Sequence, residues 1–243
     1  AGRVHHIIDG PLPAVGSPID GHVDEKRRRE YMALHTGQHI LSRALSEVLG
    51  ADTLSARLGE TACTIDIDRE SVSDGDLGRV ADLACAVIDD ALEVRAFFPT
   101  EEELNGLALR RPPKVRADIR IVTVGDFDAT PCGGTHCANS AEVGLLHITH
   151  TERHRRATRI HFTAGARSRQ TLGAAYADLR SMSQTFSCGV DQVSASIATS
   201  LEKLRDELAS SQQTLGRTRS ELAQTMASSL LSTHGKDGVV VAE

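Results

Sequence analysis

The sequence predicts an α+β fold, an antiparallel sheet with helices packed over it. Two stretches carry apolar residues at helical spacing, residues 25–49 and 74–92. Between and after them lie short strand-like runs that return as hairpins rather than as βαβ units. From about Arg169 prolines vanish and Ala, Ser, Leu, Glu and Gln dominate, so a helical segment follows the mixed domain.

Residues 4–24 read as two short strands around a Gly-Pro-rich loop, Asp9-Gly10-Pro11 through Gly16-Ser17-Pro18. They resemble the remnant of an N-terminal β-barrel. In residues 25–49, Leu34, Leu41, Leu45 and Val48 form one buried helical face. His35, His39, Ser42 and Ser46 form an adjacent stripe, and Gly50 ends the helix. Residues 61–67 alternate as a strand. The helix over 74–92 turns Leu77, Val80, Ala84, Val87, Ile88 and Ala91 inward. Val94–Phe98 and Ile119–Val124 follow as strands, separated by the Pro112-Pro113 loop. Leu145–Thr151 and Thr158–Thr163 form a hairpin.

In the region after 169, Leu201, Leu208, Leu215 and Leu222 recur every seven residues. Ile197 and Leu204 fill the alternate seam position, but Ser211, Thr218 and Thr225 then replace them. A half-polar seam fits a helical linker or hairpin, or a weak homodimer contact, better than a long coiled coil. Four segments result: strands over 1–24, a mixed domain over 25–168, a helical linker or hairpin over 169–235, and over 236–243 the start of a further domain at Gly238-Val239-Val240-Val241. With a first residue that is not Met, this layout leads us to expect a piece of a longer gene product.

The chemistry sits in His35-Thr-Gly-Gln-His39 and Cys132-Gly-Gly-Thr-His136. Each supplies two metal-capable side chains with three residues between them. Residues i and i+4 of a helix point the same way, so His35 and His39 face one cleft. In the second pair Gly133 and Gly134 give a tight loop between ligands. One thiolate and three imidazoles suit Zn2+. A closed set of four donors is the signature of a structural ion and an exchangeable position that of a catalytic one; the donors alone do not choose. Cys137 follows His136 directly, points elsewhere as sequence neighbours do, and stays outside the set.

Composition bounds the rest. At 243 residues, 40% hydrophobic and 25% charged, the chain supports a proper core. Aromatics are only 3% with no Trp, so that core is aliphatic. No apolar run nears the ~20 residues of a membrane span, so no membrane partner is expected. No signal-peptide layout opens the chain, and five cysteines give no disulfide framework. The expected location is cytoplasmic, with Cys63 and Cys85 as core residues. The net charge of −6 hides a division. Residues 66–103 hold twelve acids against three Arg, whereas residues 153–169 hold six Arg and no acid. A local basic segment matters more than the total when phosphates are the partner, so Arg153, Arg155, Arg156 and Arg159 are the candidate contacts.

HTGQHIL followed about a hundred residues later by CGGTH resembles the alanyl-tRNA editing domain family. That family comprises the editing domain of alanyl-tRNA synthetases and the free-standing AlaX-type trans-editing proteins. The resemblance runs from about residue 17 to 168. It includes Gly21-His22-Val23-Asp24, Cys63-Thr64-Ile65-Asp66-Ile67-Asp68, Ser140-Ala141-Glu142-Val143-Gly144 and Thr158-Arg159-Ile160-His161-Phe162. The threonyl-tRNA synthetase editing domain shares the ligand spacing, but the Gly-Gly-Thr insert favours the alanyl branch.

The resemblance implies a synthetase editing-domain fold with functional Zn2+ held by His35, His39, Cys132 and His136. It implies hydrolysis of Ser-tRNA or Gly-tRNA mischarged on alanine tRNA, with that tRNA as partner. A pocket that hydrogen-bonds the serine hydroxyl separates serine from alanine well. Gln38 and Thr135 are the candidate pocket residues, with Thr36 and Ser55 behind them. Ser55-Ala56-Arg57-Leu58-Gly59 departs from the family's usual Ser-Phe-His-Leu-Gly, and Cys85 stands where Asn is common. Those departures bear on the substrate rather than on fold or metal. The alternative is a repurposed scaffold with structural zinc that binds tRNA, another acyl substrate or a protein.

Overall fold

A computed structural model describes residues 5–234, and the chain divides into two compact units, residues 1–171 and 172–243. The strand start expected at Gly238–Val241 lies outside the described residues.

In the first unit, helix α1 spans Glu25–Leu49. Asp24 caps it by accepting from the Arg27 N–H at 3.0 Å, and Gly50 closes it at φ 58°. Strands β1 (Thr53–Leu58) and β2 (Cys63–Ile67) follow, then α2 (Asp74–Asp89), capped by the Ser73 side chain. Next come β3 (Val94–Phe97), the six-residue α3 (Glu101–Gly106), β4 (Ile121–Val124) and β5 (Asp128–Pro131). A long hairpin of β6 (Leu146–His154) and β7 (Ala157–Ala164) completes the strands, and α4 (Gly165–Thr185) begins at once.

The expected α+β class is present, but as two antiparallel sheets rather than one. A four-stranded sheet has the order β1-β2-β7-β6, and a three-stranded sheet the order β3-β4-β5. In the first, Ile65 stands opposite Ile160 and Cys63 opposite Phe162. These side chains meet Leu34, Ile40, Leu41 and Leu45 of α1 and Val80, Ala84 and Val87 of α2 in one aliphatic core. Truncating one of the fully buried leucines to Ala costs about 2–5 kcal/mol. Gly37 lets α1 lie close to the sheet: a Cβ there would stand 3.2 Å from Val143, 3.3 Å from Ala164 and 3.3 Å from Leu146.

Among the described residues, the strands expected over 4–24 do not form. Residues 5–24 run as exposed irregular chain, paired with neither sheet, and the described residues close no barrel. Pro11, Pro13 and Pro18 each lack the N–H that a ladder needs. In the second unit, α5 is one uninterrupted helix over Val193–His234. Its leucines at 201, 208, 215 and 222 remain 49–59% exposed, so the heptad stripe lies on the surface of the chain. Among the described residues no helix is long and apolar enough to cross a membrane.

Candidate metal centre

Helix α1 and the loop after β5 bring the two ligand pairs together. The ligand atoms of His35, His39, Cys132 and His136 all lie within 4.8 Å of one another. Cys132 Sγ stands 3.4 Å from His35 Nε2 and 3.5 Å from His136 Nε2. Tetrahedral zinc, with bonds of about 2.0–2.3 Å, separates neighbouring donors by about 3.3–3.8 Å. The two sulfur–nitrogen separations match that ion, and the wider pairs, up to 4.8 Å, would draw in by about 1 Å around it. His39 is fully buried, while the other three are half-buried, so the cluster is reachable from one side.

Each imidazole is held by its outer nitrogen. His35 Nδ1 donates to the Thr135 carbonyl at 3.2 Å, and His136 Nδ1 contacts Thr36 Oγ1 at 3.2 Å. His39 Nδ1 stands 3.3 Å from Asp128 Oδ2, an ion-pair distance without hydrogen-bond alignment. A carbonyl and a carboxylate only accept, so His35 and His39 carry the proton on Nδ1 and turn Nε2 inward as a lone pair. Such outer contacts fix tautomer and ring orientation in metal sites. Asp128 is itself held by Arg110 Nε at 2.8 Å and by the Thr130 hydroxyl at 3.0 Å.

The electrostatics follow this wiring. Burial opposes ionisation of Cys132, but the His136, His35 and His39 imidazoles gathered around the sulfur and the Gly134 N–H outweigh it and bring the thiol down to about 3. Burial lowers His136 to about 4, against the pull of Cys132. Burial also disfavours the charged form of His39, yet Asp128 and Cys132 raise it overall. Asp128 resists burial through His39 and Arg110 and stays below the usual carboxylate range. A thiolate with neutral inner nitrogens is the state that binds a divalent ion.

The loop has a reason for its glycines that differs from the one expected. Neither Gly133 nor Gly134 adopts positive φ. Gly134 is instead required by proximity, because a Cβ there would stand 2.6 Å from His35 Nδ1. Arg120 anchors the loop by donating to the carbonyls of Cys132 and Gly134, each at 2.8 Å.

Two clefts approach the cluster, one reaching Cys132 itself and the other only the neighbouring Thr135. One of about 330 Å³ is lined by Arg111, Lys114, Ile119, Arg120, Cys132 and Gly133. The other, about 510 Å³, is lined by Arg27, Arg28, Tyr31, Leu58 and Thr135. Thr135 thus borders a cleft while its carbonyl positions His35. Gln38 is buried, and its amide donates to Ser42 Oγ at 2.8 Å. Ser55 donates to Asp66 Oδ2 at 2.7 Å on the sheet, and Ala56 and Arg57 are exposed on β1. Cys137 is buried outside the ligand set, with its N–H on Thr36 Oγ1.

The arginines divide by position. Arg153, Arg155 and Arg156 are exposed at the tip of the β6–β7 hairpin, where Arg155 has φ 59°. Arg159 stands across from Asp66 and forms a bidentate pair with it at 2.7 and 3.0 Å, so its guanidinium is engaged within the sheet. Arg167 is paired with Glu30 and donates to the Gly59 carbonyl at 2.6 Å. Asp128, Arg110 and Arg120 are site residues that sequence reasoning missed. The one available signal was Asp128 four residues before Cys132, on the same face of a strand as Thr130.

Residues 119–161 match the family described as the threonyl and alanyl tRNA synthetase second additional domain. The chain is 32% identical over 171 residues to the alanyl-tRNA editing protein AlaX-L of Pyrococcus horikoshii, covering 69% of this chain and 42% of that protein. It is 28% identical over 245 residues to the mouse alanyl-tRNA editing protein Aarsd1, covering 98% of this chain and 58% of that one. An alanine–tRNA ligase of Caldivirga maquilingensis is 27% identical over 213 residues, 83% of this chain and 24% of the ligase. The chain thus spans about half the length of the two editing proteins. On these matches and the two ligand motifs together, this chain belongs to the alanyl-tRNA editing domain family.

Proposed function

We propose that the chain is a zinc-dependent hydrolase that deacylates mischarged alanine tRNA in trans, with Ser-tRNA or Gly-tRNA as substrate, in the reducing cytoplasm. The observation that carries this reading is the half-exposed donor cluster flanked by two clefts lined with arginines. A purely structural ion needs no such access.

His35, His39, Cys132 and His136 would hold the ion, which when bound would supply Lewis-acid chemistry for ester hydrolysis. The chain's own residues do the rest. Thr36, Thr135 and Asp128 keep the three imidazoles oriented, and Arg120 fixes the loop. Arg27, Arg28, Arg111 and Lys114 offer cations to the polynucleotide on either side of the cluster. Arg153, Arg155 and Arg156 add phosphate contacts from the hairpin tip, with Arg159 behind them if its pair with Asp66 opens. Gln38 and Thr135 supply polar groups for discrimination. An aminoacyl ester is already activated, so positioning and exclusion of solvent are the main demands.

A second reading draws on two observations: four protein donors already complete a tetrahedron, and Ala56 and Arg57 replace the family's usual residues. In it the scaffold keeps a structural ion and binds tRNA, another acyl substrate or a protein. Deacylation of purified Ser-tRNA for alanine separates the two. Hydrolysis well above that of Ala-tRNA, lost on zinc removal and restored on its return, is the expected result. Zinc-loaded protein that binds the tRNA but leaves the ester intact would establish the second reading.

A further inference from the structure

Behind the metal centre, a third cleft of about 360 Å³ lies between the polar stripe of α1 and the corner at Arg110–Pro112. Ser42, Ser46, Thr53, Arg110 and Arg111 line it, with Asp52 as its acid. Two of its polar atoms, Arg110 Nη2 and Thr53 Oγ1, are buried without a hydrogen-bond partner among the described residues. Buried polar groups are nearly always paired, and an unpaired one costs about 1–3 kcal/mol. Both residues line the cleft, so a modest turn of either side chain would present these atoms to a ligand that pairs them.

The chemistry of that ligand can be read from the donors. The Arg110 side chain is 6% exposed, and its Nε edge is taken by Asp128. The Nη2 donor has no partner in the fold and becomes available to the cleft when the side chain turns. Ser42 Oγ accepts from Gln38, so its own proton serves a second partner. With the hydroxyls of Ser46 and Thr53, the wall is rich in donors and carries two guanidiniums against Asp52. A compact group with several acceptor oxygens and a negative charge satisfies it.

We propose that this cleft binds a phosphate oxyanion. It shares Arg111 and Pro112 with the cleft that reaches Cys132 and Gly133. An extended polynucleotide whose end lies at the metal centre would therefore round the Arg111 corner and place a backbone phosphate on Arg110. That source of phosphate rests on the editing reading; free phosphate does not. Arg110 holds Asp128, and Asp128 holds His39, so occupancy of the cleft bears directly on one ligand of the ion.

Calorimetric titration of the zinc-loaded chain tests this with three probes: inorganic phosphate, a dinucleoside monophosphate, and its neutral methylphosphonate analogue. Phosphate is expected to bind, and Ser46→Ala with Thr53→Val to weaken it tenfold or more. Neither change threatens folding, since Thr53→Val removes an unpaired polar atom, and unchanged melting and zinc content verify that. Arg79→Ala, on the exposed face of α2, should leave the affinity as it was. Dinucleotide binding that the methylphosphonate lacks assigns the site to an RNA strand; phosphate binding alone assigns it to the free anion. No binding of any probe, or binding indifferent to the cleft substitutions, overturns the proposal. Ser-tRNA deacylation at background beside intact phosphate binding would discard the editing reading and keep this site.

Discussion

Gly134 and the ring of His35 lie so close that a Cβ on residue 134 would come within 2.6 Å of His35 Nδ1. The same imidazole nitrogen donates to the carbonyl of the next residue, Thr135. The ligand loop is therefore moulded around one ligand's ring, and its backbone has no room to give without turning that ring.

Gly134→Ala should disrupt the centre while sparing the core. We expect zinc affinity to fall at least tenfold, measured by competition with a chelator, with the far-ultraviolet spectrum unchanged. Gly133→Ala is the control, since nothing lies within 4 Å of a Cβ at that position. Equal losses in both would mean that loop flexibility matters rather than the contact with His35.

Asp128→Asn should weaken zinc binding about 10–100-fold, the usual effect of losing an outer-shell carboxylate. It removes the charge that faces His39 and leaves Arg110 Nε without its carboxylate partner. Elemental analysis after dialysis against a graded chelator reads this directly, with His39→Ala as the full loss.

These two residues show what the sequence could and could not reveal. The cluster of His35, His39, Cys132 and His136 was legible because the spacing within each pair is local, and α1 was legible because Leu34, Leu41 and Leu45 repeat at helical period. Arg110 and Asp128 meet across 18 residues, a contact that no periodicity encodes. Strand β1 escaped notice because four of its six residues are exposed, which erases the alternation. Strand β5 opens on a buried Asp and ends on Pro131, neither of which has high strand propensity. The short α3 did carry its signal, the Thr100–Glu103 capping box, but no apolar face behind it. The Arg cluster over 153–169 reads as one basic segment in sequence. In the fold, register places Arg159 opposite Asp66 and leaves the hairpin tip exposed.

The Asp66–Arg159 pair should make part of the stability pH-dependent. Hydrogen bonding to Arg159, chiefly, lowers Asp66 below its ordinary value, with burial opposing and Ser55 assisting. A carboxylate lowered in the folded state stabilises above its unfolded pKa of about 4 and loses that contribution as pH falls through the folded value. Asp66→Asn should then cost about 1–3 kcal/mol at pH 7 and progressively less below pH 4. Urea denaturation of both proteins at pH 7 and pH 3 checks this, and a gap that stays constant would assign the loss to packing.

Arg155→Ala with Arg156→Ala should weaken tRNA binding and flatten its salt dependence. Each neutralised phosphate adds about 0.7–0.9 to the slope of log affinity against log salt, so the pair should remove about 1.4–1.8. Both side chains are exposed at a two-residue turn, so folding should be unaffected. An unchanged slope would leave them as solvated surface.

The ligands arrive as two pairs separated by a long stretch of chain: Cys132 and His35 are 97 residues apart. An ion gripping both acts as a removable cross-link. By the chain-entropy argument used for disulfides, closing a loop of that length restricts the unfolded ensemble by on the order of 4–5 kcal/mol. The close approach of α1 to the sheet at Gly37 is what holds the two pairs within reach of one ion. An ion bound there would then govern how long this domain survives unfolding and proteolysis, so its removal would cost the fold itself and not the site alone.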